Sequence, residues 1–490
     1  MKHALVVLLF LWLLASGCGH VTPSKSHRAR QRPNVVIFFV DDSGWGDYSH
    51  NGNPTIDTPH IDRLAAEGAF FTQFYVTTAA CSASRYSLLT GRYPGRSGLG
   101  SWVIGPGSPR YIHPEEITLA EGLKSAGYAT GLFGKWHLGT PNAKNGLAAE
   151  SLPLAHGFDE WIGTNVSHDY DHARLLRSDP EGTNPVPGYV ELARDLPTNP
   201  EASKSLTGLY TDAAMHFIRE NADRPFFAYV AYNQPHLGLY VADRFRGTSR
   251  RGLLGDVLAE VDDSVGRVMG LLEELGVADD TLVVFSSDNG PWVRYRNTAN
   301  HPKYGEARLH VGYAYPFRDG KGSTWEGGHR VPGIFYWPGT IPPHRELRPA
   351  STLDVLPTIF SLCGVPVPND RSIDGRDVRP YLSPSLAPTL DVPPFEFLFS
   401  YSDNRPSAIR MGAWKLHIRI GSQLKTNYGF TASREKPLLF QVEQDLGERI
   451  DRAEEQPQRV KVMLRRLEEM EAQINDAGTF WNDAPSSQER

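Results

Sequence analysis

A thiol, two hydroxyls and a guanidinium stand at fixed offsets in Cys81-Ser82-Ala83-Ser84-Arg85, with Leu88 and the triplet Thr90-Gly91-Arg92 downstream. If this stretch opens a helix, Cys81 sits where unpaired backbone N–H groups and the positive dipole end favour an anion. Arg85, one turn on, shares that face and can fork onto an oxyanion. The chemistry on offer is nucleophilic attack at a centre carrying negative oxygens. By spacing alone, a buried cysteine at a helix start fits as well. Composition sets Cys81 apart: the chain has 3 cysteines, too few for a disulfide scaffold. Cys363 closes the apolar run Leu353-Val355-Leu356-Ile359-Phe360-Leu362 and reads as an inert core thiol, and Cys18 belongs to the N-terminal segment.

Two acidic pairs add a second chemistry. Asp41-Asp42 and Asp288-Asn289 supply side-chain oxygens only, the donor set of a hard cation such as Ca2+ or Mg2+. Either pair taken alone is equally a turn or a cap. Lys135 and His137 follow another strand-like run, and His236 a third. Singly these are a solvated lysine and core histidines; their common placement gives them interest.

The elements that position these groups are legible. Asn34 to Val40 (NVVIFFV) is a continuous apolar run, the mark of a strand buried on both faces, and it ends in Asp41-Asp42. Thr58-Pro59 reads as N-cap and first turn of a helix through Glu67. A strand from Ala69 to Tyr75 leads to the Cys81 helix. A helix over Thr118 to Ser125 precedes the strand Ala129 to Phe133, which runs into Gly134-Lys135-Trp136-His137. The strand Phe226 to Tyr232 stops before His236. A helix from Leu253 to Leu275 carries Leu253, Val257, Val261, Val265, Val268 and Leu272 at helical spacing. The strand Thr281 to Ser286 ends before Asp288-Asn289. Alternating strands and helices predict a mostly parallel sheet covered on both faces, and ligands bind at the carboxyl ends of such strands. After a linker at Ser383 to Pro394, strand-like runs at Phe395 to Tyr401, Ala408 to Met411, Trp414 to Ile418 and Leu438 to Val442, and a helix with Met463, Leu467, Met470 and Ile474 on one face, predict a small antiparallel sheet with one helix. The expected organisation is a signal segment 1–18, a tether 19–32, a large domain 33–382 and a C-terminal α+β part 395–490.

With 490 residues, 40% of them hydrophobic, the chain can bury one large core and a smaller one. A net charge of −6 gives no footing for nucleic acid. No run is long enough to span a bilayer. Lys2 and His3 before the apolar Ala4 to Ala15 make an export signal. The small residues before Cys18 resemble a bacterial lipobox, with Cys18 lipidated at an outer membrane or cell surface and Lys25, Arg28, Arg30 and Arg32 in a tether. Ordinary cleavage nearby, releasing a periplasmic or secreted protein, is the alternative.

Taken together, the motif around Cys81 resembles the signature of the formylglycine-dependent sulfatases, Cys-x-Pro/Ala-Ser-Arg with a downstream Thr-Gly-Arg. The resemblance extends to Arg32-Pro33-Asn34 with Asp41-Asp42, Gly134-Lys135-Trp136-His137-Leu138-Gly139, Ser167-His168-Asp169 after Gly157-Phe158-Asp159, Asn233-Gln234-Pro235-His236, Gly320-Lys321-Gly322, and Leu438-Leu439-Phe440 with Gly447-Glu448. Arylsulfatase A and galactosamine-sulfate sulfatases are the kin it suggests. It implies an alkaline-phosphatase-like fold and hydrolysis of sulfate monoesters. It implies that Cys81 is oxidised by a formylglycine-generating maturase to an aldehyde whose hydrate has one hydroxyl to attack sulfur and another to expel sulfate. It implies one divalent ion, Ca2+ or Mg2+, held by Asp41, Asp42, Asp288, Asn289 and the residue at Cys81. Arg85 then holds the nucleophile. Lys135 and Lys321 neutralise sulfate oxygens. His236 with Lys321 protonates the leaving alcohol, His137 is the base, and Ser167 and His168 bind substrate.

Ala83 stands where the aerobic maturase prefers proline; alanine is the residue that radical maturases accept. Arg174 to Ser205 and Trp292 to Phe317 are expected to rim the pocket, with Arg174, Arg177, Arg294, His301, Lys303, Tyr304 and His310 suited to a sulfated carbohydrate. Competing readings are a formylglycine-dependent phosphonate or phosphodiester hydrolase, and a non-catalytic lipoprotein that binds sulfated glycans.

Overall fold

The computed structural model describes residues 32–97, 103–105, 108, 110–139, 147–294, 311–400, 405–423 and 427–476. The expected signal, the tether apart from Arg32, Cys18, His301, Lys303, Tyr304 and His310 lie outside the described residues.

The strands are β1 (Asn34–Val40), β2 (Ala69–Tyr75), β3 (Ala129–Gly134), β4 (Glu160–Thr164), β5 (Arg174–Ser178), β6 (Tyr189–Arg194), β7 (Phe226–Ala231), β8 (Thr281–Ser287), β9 (Arg330–Tyr336), β10 (His344–Glu346), β11 (Ala350–Ser351), β12 (Glu396–Ser400), β13 (Pro406–Met411), β14 (Trp414–His417) and β15 (Leu438–Gln441). The helices are α1 (Pro59–Glu67), α2 (Cys81–Thr90), α3 (Leu119–Ser125), α4 (Pro200–Glu220), α5 (Leu253–Glu274), α6 (Glu326–His329), α7 (Val355–Cys363), α8 (Arg379–Leu382) and α9 (Pro457–Asp476). The large sheet runs β10-β2-β9-β8-β1-β7-β3-β4-β5-β6, with β11 also on β2. Its centre, β8-β1-β7-β3-β4, is parallel. The second sheet, β12-β13-β14-β15, is antiparallel throughout. The predicted fold class, a mostly parallel sheet covered on both faces plus a small antiparallel sheet with a helix, is the one observed.

β1 shows why its sequence is apolar without alternation. Val36, Phe38 and Val40 join the core containing Ile61 and Leu64 of α1, Leu206 and Phe217 of α4, and Val257, Val261 and Val265 of α5. Val35, Ile37 and Phe39 face the other way, into Leu88 and Leu89 of α2, Leu119 and Leu123 of α3, and Leu356 and Ile359 of α7. Both faces are dry, so both parities must be apolar. The small sheet makes a third core with α9, through Phe397, Leu398, Ile409, Leu416, Met463 and Leu467, which also takes in Tyr75 and Tyr93.

Several elements differ from expectation. Thr58 precedes α1 but does not cap it with its side chain; Asp262 of α5 accepts from the N–H groups of His60 and Ile61 at 3.2 and 2.9 Å. The stretch 174–205, expected at the pocket rim, holds regular elements. It forms β5 and β6, an antiparallel hairpin on the sheet edge, and the first turn of α4. Arg174 pairs with Glu191 at 2.9 Å and Arg177 with Asp179 at 3.5 Å. α4 itself was overlooked, although Asn199 caps it (Ala202 N–H, 3.2 Å) and Pro200 opens it. β9 was also missed. It carries Pro332 inside the sheet, where the β2–β9 register slips between Phe71 and Phe74; such a bulge is how a ladder tolerates proline. Among the described residues, no helix is long and apolar enough to cross a membrane.

Candidate active site

Because β1, β3, β4, β7 and β8 run in parallel, their carboxyl ends open on one edge, and the polar residues that follow them meet there. Strand-to-strand backbone bonds continue just past the ladder: Asp288 N–H donates to Val40 O (3.1 Å), Lys135 N–H to Ala231 O (2.7 Å), and His137 N–H to Asn165 O (3.2 Å). Gly134 permits this closeness. It adopts φ +133, and a Cβ there would lie 1.8 Å from Ala231 O. Asp42 and His137 themselves take φ +64 and +56, unusual for residues with a Cβ and of a kind concentrated at functional sites.

α2 begins at Cys81, as predicted, with Ala80 at the N-cap and no side-chain cap. Its first N–H groups therefore add positive potential around Cys81. Cys81 Sγ lies 3.3 Å from Asp41 Oδ1, 4.0 Å from Asp42 Oδ1 and 3.3 Å from Lys321 Nζ. Lys321 also contacts both oxygens of Asp42, at 2.7 and 2.8 Å. Lys135 Nζ donates to Asp41 Oδ2 at 2.5 Å. Arg85 grips Asp288 Oδ2 through Nε (3.1 Å) and Nη2 (2.8 Å), and donates through Nη1 to Lys135 O (3.3 Å). His236 Nε2 stands 3.4 Å from Asp42 Oδ2. No residue of the expected set is more than 5% exposed, so these charges interact through little water.

Of the five expected metal ligands, Asp41, Asp42 and Cys81 converge, and His236 joins them with ligand atoms within 4.8 Å of one another. Asp288 instead holds Arg85 and accepts from the Asp42 N–H (3.1 Å). Asn289 donates to Asp42 Oδ1 (2.7 Å), while its own Oδ1 is buried without a hydrogen-bond partner among the described residues. The oxygen-rich donor set and this orphaned oxygen fit a hard cation.

Burial would raise the Asp41 carboxyl, but Lys135, then His236, Arg85 and Lys321, hold it well below its usual range. Asp288 goes the other way, up to about 7, because burial and the Asp41 charge outweigh Arg85 and Lys135. Burial and Asp41 push the Cys81 thiol well above its ordinary value, against Lys135 and Lys321. An unmodified thiol here stays protonated and is a poor nucleophile.

The two histidines of the motifs are fixed differently. His137 Nε2 faces Ile104 O at 3.1 Å. A carbonyl only accepts, so Nε2 carries the proton, and Nδ1, with no partner among the described residues, keeps its lone pair. Burial and then Lys135 hold this ring neutral. His236 Nδ1 faces Leu237 O at 2.5 Å, with Asp169 3.9 Å away. His168 stacks edgewise on His236 and bonds Gly238 O at 2.9 Å. Ser167 is buried beside it, its hydroxyl without a partner among the described residues.

Sequence reasoning did not single out three neighbours. Ser82 donates to His137 O (2.8 Å) and accepts from Ile104 N–H (2.9 Å), joining the start of α2 to the His137 segment. Tyr170 packs edge-on against His137. Trp292 lies under Lys321, whose Nζ is 5.1 Å from the ring centre. Ser82 stands next to Cys81, and only that adjacency could have flagged it.

Comparison with known proteins agrees with this geometry. A profile of the sulfatase family matches residues 33–365, and a profile of the C-terminal region of aryl-sulfatase matches 393–486. The chain is 35% identical to arylsulfatase A of Bos taurus over 495 residues, covering 95% of this chain and 91% of that protein. It is 38% identical to N-acetylgalactosamine-6-sulfatase of Sus scrofa over 430 residues, 84% of this chain and 75% of the other. The solved structure of the PsFucS1 sulfatase from Pseudoalteromonas sp. superposes with a TM-score of 0.76 at 26% identity, covering 92% of each chain. The chain belongs to the sulfatase family and is a sulfuric ester hydrolase.

Proposed function

We propose that this sulfatase hydrolyses a sulfate monoester on a carbohydrate, using a hydrated formylglycine made from Cys81 and one divalent cation, Ca2+ with Mg2+ as the alternative. The observation that carries the reading is the convergence on Cys81: two carboxylates, an ammonium and an uncapped helix start meet a thiol that its surroundings keep protonated. A hydrated aldehyde at position 81 supplies what the thiol lacks, one hydroxyl to attack sulfur and a second to expel sulfate. Asp41, Asp42, Asp288 and Asn289, with the residue at 81, hold the cation, which when bound draws charge from the sulfate oxygens and favours an ionised nucleophile.

The other roles follow from the side chains. Lys135 and Lys321 neutralise the sulfate oxygens. Arg85, fixed on Asp288, orients the nucleophile's end of α2. His236 with Lys321 delivers a proton to the leaving alcohol oxygen. His137, neutral with Nδ1 open, takes the proton that collapses the sulfated intermediate. Ser167 and His168 contact the substrate. A carbohydrate is favoured by the kinship to a protein named for N-acetylgalactosamine-6-sulfate.

Cys81 is 1% exposed, so a maturase must reach it before α2 is buried; Ala83 suits a radical maturase. The leader and Cys18 belong to export and a lipid anchor. Peptide mass spectrometry of the Cys81 segment tests the modification: an unaltered thiol in active native protein would refute it. Side-by-side turnover of sulfated sugars, aryl sulfate and phosphate or phosphonate esters tests the substrate; preference for phosphorus esters would overturn the assignment.

A further inference from the structure

The loop after β14 leaves the small sheet and returns to the carboxyl edge of the large one. Gly421 and Thr324 exchange bonds, Thr324 N–H to Gly421 O at 3.1 Å and Gly421 N–H to Thr324 Oγ1 at 3.2 Å. Ser422 Oγ donates to Asp319 Oδ2 at 2.5 Å. Gln423, 6% exposed, then makes three side-chain bonds. Its Nε2 donates to Lys321 O at 2.8 Å, and its Oε1 accepts from the N–H groups of Val293 and Arg294, both at 2.9 Å. Lys321 N–H is meanwhile tied to Pro291 O at 2.9 Å. The two segments that Gln423 joins, 291–294 and 319–321, bring Trp292 and Lys321 to the candidate site. Gly320 marks how closely they pack, since a Cβ there would lie 2.1 Å from Pro291 O.

We propose that Gln423 is a positioning residue for catalysis: by clamping the Lys321 peptide to the 291–294 segment, the C-terminal part of the chain sets where the Lys321 ammonium stands. The inference rests on the reading of Lys321 as a sulfate-binding ammonium. Lys321 reaches Asp42 and Cys81 through a long, flexible stem, so its aim depends on a fixed backbone. An amide suits this clamp because one end accepts and the other donates. A carboxylate of the same shape would serve Val293 and Arg294 but present a negative oxygen to Lys321 O. Without the clamp, two N–H groups and one carbonyl lose their partner, and misplacement near reacting atoms is costly to turnover.

The test is a double-mutant cycle on the full, matured, cation-loaded protein, read by kcat/KM for 4-nitrophenyl sulfate and by calorimetric Kd for inorganic sulfate, which serves where turnover is too slow. Gln423→Ala should lower kcat/KM about 10- to 100-fold and weaken sulfate about 5-fold. Gln423→Glu should do nearly the same, though its packing is intact, and it carries the cycle if Gln423→Ala fails to fold. In a Lys321→Ala background, the same changes should cost less than about twofold. Equal losses in both backgrounds, or wild-type values for Gln423→Glu, would overturn the proposal. If Lys321→Ala itself leaves turnover and sulfate affinity unchanged, the reading of the site fails first.

Discussion

Two sets of buried ions share one stretch of chain, Lys321 in the first and Glu326 a few residues on in the second. The second set joins the sheets. Glu326 Oε1 accepts from Lys415 (3.0 Å) and Oε2 from the Tyr75 hydroxyl (2.7 Å), while Glu448 accepts from His417 (2.7 Å) and from Glu326 N–H (2.6 Å). Burial alone would raise the Glu326 carboxyl, but Lys415, Arg330 and Arg410 outweigh it and hold it down at about 2. Each of its carboxylates is met by a donor on both oxygens. The first set crowds three acids, Asp41, Asp42 and Asp288; Asp288 is driven up to about 7 by burial and by Asp41, and Asn289 Oδ1 is buried without a partner among the described residues. Burial is alike in the two clusters. What separates them is that Glu326 is held as an ion, whereas Asp288 is crowded by Asp41, a repulsion that a further cation would relieve. A carboxyl that its buried neighbours drive up marks a place for chemistry more than one that they hold down.

That contrast can be broken most directly at Cys81. Cys81→Ala should remove turnover by more than about 10⁴-fold while leaving thermal stability near wild type; retained activity would place the chemistry elsewhere. Stripping divalent cations, or Asp42→Ala, should cost about 10²- to 10³-fold in kcat/KM, and returning Ca2+ should restore only the stripped wild type. The second cluster should answer in stability instead. Glu326→Gln should cost about 3–5 kcal/mol at pH 7, measured by denaturant unfolding, because Lys415 loses an anion in a dry site. The pH dependence follows from the sign. A depressed carboxyl contributes stability that is present above its unfolded pKa and lost as pH falls through the folded one, here from about 4.5 towards about 2. The gap between wild type and Glu326→Gln should therefore narrow over that window and stay flat above it. Smallest of all, Glu326→Leu combined with Lys415→Met should cost about 1 kcal/mol, less than either single change, if the cluster is only structural. A large loss of kcat in that double variant at intact stability would blur the distinction.

Much of the candidate site was legible because its residues sit at two kinds of boundary that leave marks in sequence. Asp41, Lys135, His236 and Asp288 follow dry strands, and Cys81 opens a helix closed by Gly91 at φ +67. The missed parts lacked such marks. β9 is interrupted by Pro332, and the edge hairpin β5–β6 is too polar to read as strands, with Arg174, Arg177, Glu191 and Arg194 along it. Gln423 is an ordinary glutamine whose partners lie 102 to 130 positions away.

The sequence by itself determined where the polar chemistry falls along the chain and that its strands are buried on both faces, because hydrophobic periodicity and helix-start chemistry are local. Only the tertiary structure decided the pairings: Lys321 beside a thiol 240 positions earlier, Asp288 gripped by Arg85, and Gln423 behind Lys321. Those depend on which strand ends the parallel sheet brings level, and on charges that choose partners only once water has been excluded.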